Sequence, residues 1–119
     1  MLLPTFFSSR PPLREVLPTG GFRAIRDTYR TKDGRALFTF GFVANGDHYE
    51  IDILDQPSYG IRDDDQHSTH RLRSGRGGYR ICLGNPRAAS DLSAAYKWAA
   101  AWAENTWAYI HKGTPFKSH

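Results

Sequence analysis

The sequence is poor in the features that staple a chain or carry it across a membrane. One cysteine among 119 residues cannot close an internal disulfide, which excludes a secreted disulfide scaffold and points to a reducing compartment. No apolar run approaches the roughly 18 residues of a membrane-crossing helix. The opening Met1-Leu2-Leu3-Pro4-Thr5-Phe6-Phe7 has neither a basic leader nor a long apolar stretch, so no signal peptide is expected. The expected setting is the cytoplasm, with no membrane partner. Acidic residues are outnumbered 12 to 16 by Lys and Arg, a net charge of +4 that would suit a polyanion but is common in proteins that bind none. No internal repeat occurs, and Ser74-Gly75-Arg76-Gly77-Gly78 is too short for a low-complexity domain.

What is present suffices for one core. The length is that of a single domain, and the aromatic residues, 13% of the chain, are spread along it and offset a modest 39% apolar content. Residues 1–21 hold Pro4, Pro11, Pro12 and Pro18 and close on Gly20-Gly21, which reads as an arm whose helix is limited to a turn or two around residues 13–17. Residues 22–112 read as one α+β domain and residues 113–119 as a tail.

Within the domain, residues 22–29, 36–44 and 47–54 have strand texture. Lys32-Asp33-Gly34 and Asn45-Gly46 supply the glycine, Asn and Asp of tight hairpins, so a three-stranded antiparallel meander is expected. Phe38, Phe40 and Phe42 alternate with smaller residues and fall on one face, which needs a cover. A helix over residues 92–111 supplies it: Leu92, Ala95, Ala99, Trp102, Ala103 and Trp107 recur at helical spacing, with Ser90 as the expected N-cap and Lys112-Gly113 as the stop. Between sheet and helix, residues 55–89 read as a long irregular loop, and long loops tend to be functional.

That loop ends in Gly77-Gly78-Tyr79-Arg80-Ile81-Cys82-Leu83-Gly84-Asn85-Pro86. Arg80 and Arg87 flank the only cysteine, and guanidinium groups near a thiol favour the nucleophilic thiolate. The competing reading is a small buried apolar residue between Ile81 and Leu83. His67, His70 and Cys82 also suggest a zinc triad, but paired cysteine spacing is absent and no metal is assigned. Asp63-Asp64-Asp65 lacks the alternation and terminal Glu of a calcium loop.

The order of short helix, meander, His-containing loop, Ile81-Cys82-Leu83 and long crossing helix resembles the ubiquitin-conjugating enzymes, in particular the small bacterial members of ubiquitin-like conjugation systems, some of them tied to antiphage defence. The likeness spans roughly residues 13–112. His70 resembles the histidine of the family's His-Pro-Asn motif, with Arg71 and Leu72 where Pro and Asn would follow. Leu54-Asp55-Gln56-Pro57-Ser58-Tyr59 resembles the Pro- and Tyr-containing turn after the third strand. The resemblance implies a conjugating-enzyme-like fold and a transferase without cofactor. Cys82 would accept a ubiquitin-like protein as a thioester from an activating enzyme and pass it to a protein amine. With the motif's Asn missing, Asn85 or the His70 imidazole is the expected oxyanion donor and Asp91 the residue positioning the amine. The plainer readings, favoured on residue type alone, are Asn85 as a turn residue before Pro86 and Asp91 as an acid in the first helical turn. The rival function is nucleic-acid binding through Arg71, Arg73, Arg76 and Arg80 interleaved with Gly and Tyr79, a reading weakened by the Asp triplet upstream.

Overall fold

The computed structural model describes residues 15–16 and 24–116. Along the chain run β1 (Glu15–Val16), β2 (Ala24–Arg30), β3 (Leu37–Asn45), β4 (His48–Asp55), α1 (Gln66–Thr69), β5 (Arg71–Arg73), β6 (Tyr79–Ile81) and α2 (Leu92–Lys112). The strands form one antiparallel sheet in the order β1-β2-β3-β4-β6-β5. The fold is α+β, with the meander at the centre of the sheet and the long helix across it. No helix of the described residues is long and apolar enough to cross a membrane.

The hairpins follow from their turns. Gly34 adopts φ 76° in the β2–β3 connection, which Thr31 and Ala36 close backbone to backbone at 3.0 Å. Gly46, at φ 64°, starts the two-residue turn between the paired Asn45 and His48. Because facing residues in an antiparallel pair share a side, Phe38, Phe40 and Phe42 look toward α2 together with their partners Tyr29, Asp27 and Ile25 on β2. All three Phe rings are buried. Trp102 of α2 meets Phe38 and Phe40 edge-on at centroid distances of 5.9 and 6.1 Å, and Tyr96 stacks on Phe42 at 4.4 Å. The polar tips of the aromatic side chains in this interface are tied rather than stranded: the Tyr96 hydroxyl donates to Asp27 at 2.9 Å, the Tyr29 hydroxyl to Glu104, and the Trp102 indole N–H to the Thr69 carbonyl at 3.1 Å. Trp102 is thus the core tryptophan, while Trp98 and Trp107 are half-buried at the helix flanks.

Three expectations change. Asp91, not Ser90, is the N-cap of α2; its carboxylate accepts the Ala94 N–H at 2.8 Å, a role an aspartate fills as well as a serine. Glu15–Val16 is strand paired with Ala24 and Ile25, where a short helix was expected. A single helical turn carries its nucleation cost for almost no hydrogen bonds, and Pro18 disfavours helical backbone just before it, so pairing to a sheet edge wins. The rest of residues 1–21 lies outside the described residues, apart from that strand. Finally, residues 55–89 are not irregular throughout, since they contain α1 and the β5–β6 hairpin. Gly77 and Gly78, at φ 97° and 70°, let Ser74 and Gly78 close that hairpin at 2.9 Å. Its strand β6 pairs with β4 through Asp52 with Arg80 and Ile53 with Tyr79, widening the sheet beyond β4.

Candidate active site

Alternation along β6 decides where the cysteine goes. Ile81 and Leu83 belong to the core under α2, so the pleat turns Arg80 and Cys82 to the opposite face of the sheet. Cys82 is half-buried there. It lines a groove of about 130 Å³ together with His48 and Glu50 from β4, Leu72 from β5, and Arg80 and Pro86. The register explains this company. β4 and β6 pair Asp52 with Arg80, and two residues further along each strand, in opposite directions, stand Glu50 and Cys82. The backbone of Cys82 is fixed: its N–H donates to the His70 carbonyl at 2.9 Å.

The loop leaving Cys82 is pinned to the start of β4 on both sides of His48. The Tyr49 N–H donates to the Ala89 carbonyl at 2.8 Å, and Arg87 reaches the Asp47 carboxylate at 3.3 Å. His48 itself is held through Nδ1 by Asp47 Oδ1 at 3.0 Å, with its side chain 17% exposed. The hydrogen bond to His48, followed by the charge of Arg87, holds the Asp47 carboxyl below the usual carboxylate range.

The same face carries a buried ion network that fixes the hairpin. Arg76 donates from Nε to Asp52 Oδ2 at 2.6 Å, and from Nη2 to Glu50 Oε1 at 2.6 Å and Asp52 Oδ1 at 2.8 Å. Ser74 Oγ donates to Asp52 Oδ1 at 2.9 Å, and Asn45 Nδ2 to Glu50 Oε2 at 3.0 Å. Burial alone would raise the Glu50 carboxyl, but the hydrogen bonds from Arg76 and Asn45 outweigh it, and the group lies below its ordinary value. One wall of the groove is therefore a fixed anion, and its position is set by β4, by Asn45 of β3 and by Arg76 of the hairpin turn at once.

The other residues expected at the site are not brought to Cys82. His70 stands at φ 52° as the C-cap of α1, and its ring stacks on Phe116 at 4.6 Å, next to Trp102, on the α2 side of the sheet. Its carbonyl touches the cysteine backbone while its imidazole faces the opposite side. Asn85 Oδ1 accepts the Arg87 N–H at 3.0 Å and so builds the turn around Pro86. Asp91 caps α2. His67 lies exposed on α1. The four arginines of the rival reading split between faces. Arg76 and Arg80 are on the groove side, Arg76 committed to its carboxylates. Arg71 and Arg73 stack on Tyr79 on the other side at 3.8 and 4.8 Å, and Arg71 also covers Tyr59 at 4.8 Å. They form no continuous row along which a phosphate backbone could run.

Sequence reading missed His48, Glu50 and Leu72. His48 sits just past the Gly46 turn, where it reads as the first residue of a strand. Its relation to Cys82 depends on β6 pairing with β4, which three-residue strands do not announce. The Gly77-Gly78 pair was the available signal, since two adjacent glycines suit a two-residue hairpin. No family model, no curated protein and no solved structure matches the chain.

Proposed function

We propose that the protein is an acyl carrier of the ubiquitin-conjugating type, in which Cys82 takes a ubiquitin-like protein from the thioester of an activating enzyme and yields it to a protein amine. The observation that supports this reading is the place of Cys82, half-buried in the wall of an open groove rather than sealed among Ile81 and Leu83 in the core. The Cys82 sulfur attacks the donor thioester carbonyl, a new C–S bond forms, and the activating enzyme's thiolate leaves. In the second step the amine nitrogen attacks, the C–N bond forms and the Cys82 sulfur departs.

Each step passes through a tetrahedral oxyanion, for which a preorganised donor contributes about 3–4 kcal/mol. Asn85 and the His70 ring are engaged in a turn and against Phe116, so the role falls to the guanidinium of Arg80, which lines the groove beside Cys82. Leu72 and Pro86 give the groove an apolar side suited to an acyl chain.

A short glycine-ended peptide carrying a C-terminal mercaptoethanesulfonate thioester serves as donor. Intact mass spectrometry is expected to show one peptide added to the wild-type chain, removed by dithiothreitol, and no adduct on Cys82→Ala. Cys82→Ser is expected to retain any adduct through dithiothreitol, as an oxyester does. An adduct that persists in Cys82→Ala refutes the assignment.

A further inference from the structure

We infer that His48, oriented by Asp47, is the proton acceptor and donor of the Cys82 groove. The inference rests on the carrier reading and names the group that moves its protons. Three observations carry it. His48 and Cys82 line one groove on the face of the sheet away from α2. The loop that follows Cys82 is tied to the chain immediately before and after His48, through Arg87 to Asp47 and Ala89 to Tyr49, so the segment that carries the thiol runs beside His48. Asp47 engages Nδ1, which selects the tautomer and leaves Nε2 for a group in the groove. A carboxylate holding one imidazole nitrogen while the other serves a nucleophile is the arrangement that general-base catalysis of acyl transfer requires.

In the loading step the Cys82 S–H proton passes to His48 Nε2 as the C–S bond forms, and His48 returns it to the departing thiolate of the donor. In discharge the attacking amine loses a proton to Nε2 as the C–N bond forms and the Cys82 C–S bond breaks; that proton then restores the thiol. The charged groups near the imidazole are Asp47 in the turn before β4, Glu50 on β4 and Arg80 on β6, with Arg87 of the loop paired to the Asp47 carboxylate. Glu50 does not replace His48 as base, because both of its carboxylate oxygens are occupied, by Arg76 and Asn45.

The test separates this role from the carrier role. Wild type, His48→Gln and Asp47→Asn are loaded with the same peptide thioester at high donor concentration and freed of excess donor. Discharge to free lysine is then followed by intact mass from pH 5 to 9. The expected result is that His48→Gln loads but discharges about 100-fold more slowly at pH 7, within the usual range for loss of a general base. It is also expected to lose the pH dependence of discharge that the wild type shows. Asp47→Asn is expected to fall between the two while keeping that dependence. A His48→Gln protein that loads and then discharges at the wild-type rate with the wild-type pH profile overturns the inference and leaves Cys82 as carrier. Failure of wild type itself to load overturns the carrier reading. Unchanged melting of His48→Gln shows that a rate loss is not a folding loss.

Discussion

At the scale of single residues, the groove face depends on charges that cannot be removed one at a time. Asp52 and Arg76 side chains are each 8% exposed and meet at 2.6 Å, so deleting the cation leaves a carboxylate buried without its partner. Arg76→Ala is expected to cost about 2–3 kcal/mol in urea denaturation, in line with breaking a partly solvated buried pair. Arg76→Lys is expected to recover little, because one ammonium cannot bridge Asp52 and Glu50 in the way a planar fork does. A loss under 0.5 kcal/mol, the scale of a surface pair, would contradict the network's structural role. Carboxylates also set the acid limit. Glu50 and Asp47 are held below their ordinary values, and Asp33 is drawn to about 2 by the Arg35 backbone N–H and then the Thr31 hydroxyl. A carboxyl whose pKa is depressed by folding contributes stability that is complete above its unfolded value, near 4, and lost as pH falls through the folded value. The melting temperature is therefore expected to hold from pH 7 to about 5 and to drop steadily toward pH 2; a level profile down to pH 2 would count against these contacts.

At the scale of elements, α2 is specified at both ends. Asp91 caps its start, and Gly113, at φ 76°, closes its end with its N–H on the Ala108 and Tyr109 carbonyls. Arg62 Nε donates to the Ile110 carbonyl at 3.2 Å, a cation placed at the negative end of the helix dipole. Asp91→Ala is expected to lower stability by about 1 kcal/mol and to leave peptide loading on Cys82 unchanged. A loading or discharge defect without a stability change would return Asp91 to the chemistry. The helix, the meander and the hidden Phe face were legible in the sequence because each rests on a local period or a local turn: the i, i+4 spacing of Ala95, Ala99 and Ala103, the alternation of Phe38, Phe40 and Phe42, and glycines 34 and 46. β5 and β6 were not, because three residues show no period and the strand against which β6 docks, β4, is distant in sequence. The groove was invisible for the same reason. Cys82 could be singled out as the only thiol, but which residues surround it depends on β6 lying against β4, and the two candidates nearest in sequence, Asn85 and Asp91, are held by neighbouring backbone N–H groups instead.

At the scale of the molecule, the sheet divides the labour. One face, with Phe38, Phe40 and Phe42 under Tyr96 and Trp102, holds the fold together. The other face carries the Arg76 network and the groove. His70 and Cys82 are joined through their backbones across that boundary while their side chains diverge, which separates the histidine suggested by sequence order from the thiol it was expected to serve. The whole account stands on the Cys82 sulfur being reachable from solvent on the face away from α2. Titration of the native protein with a chromogenic aromatic disulfide measures this directly. The account predicts release of one chromophore per chain in buffer without denaturant, abolished in Cys82→Ala. Release that begins only when the protein is unfolded would contradict it.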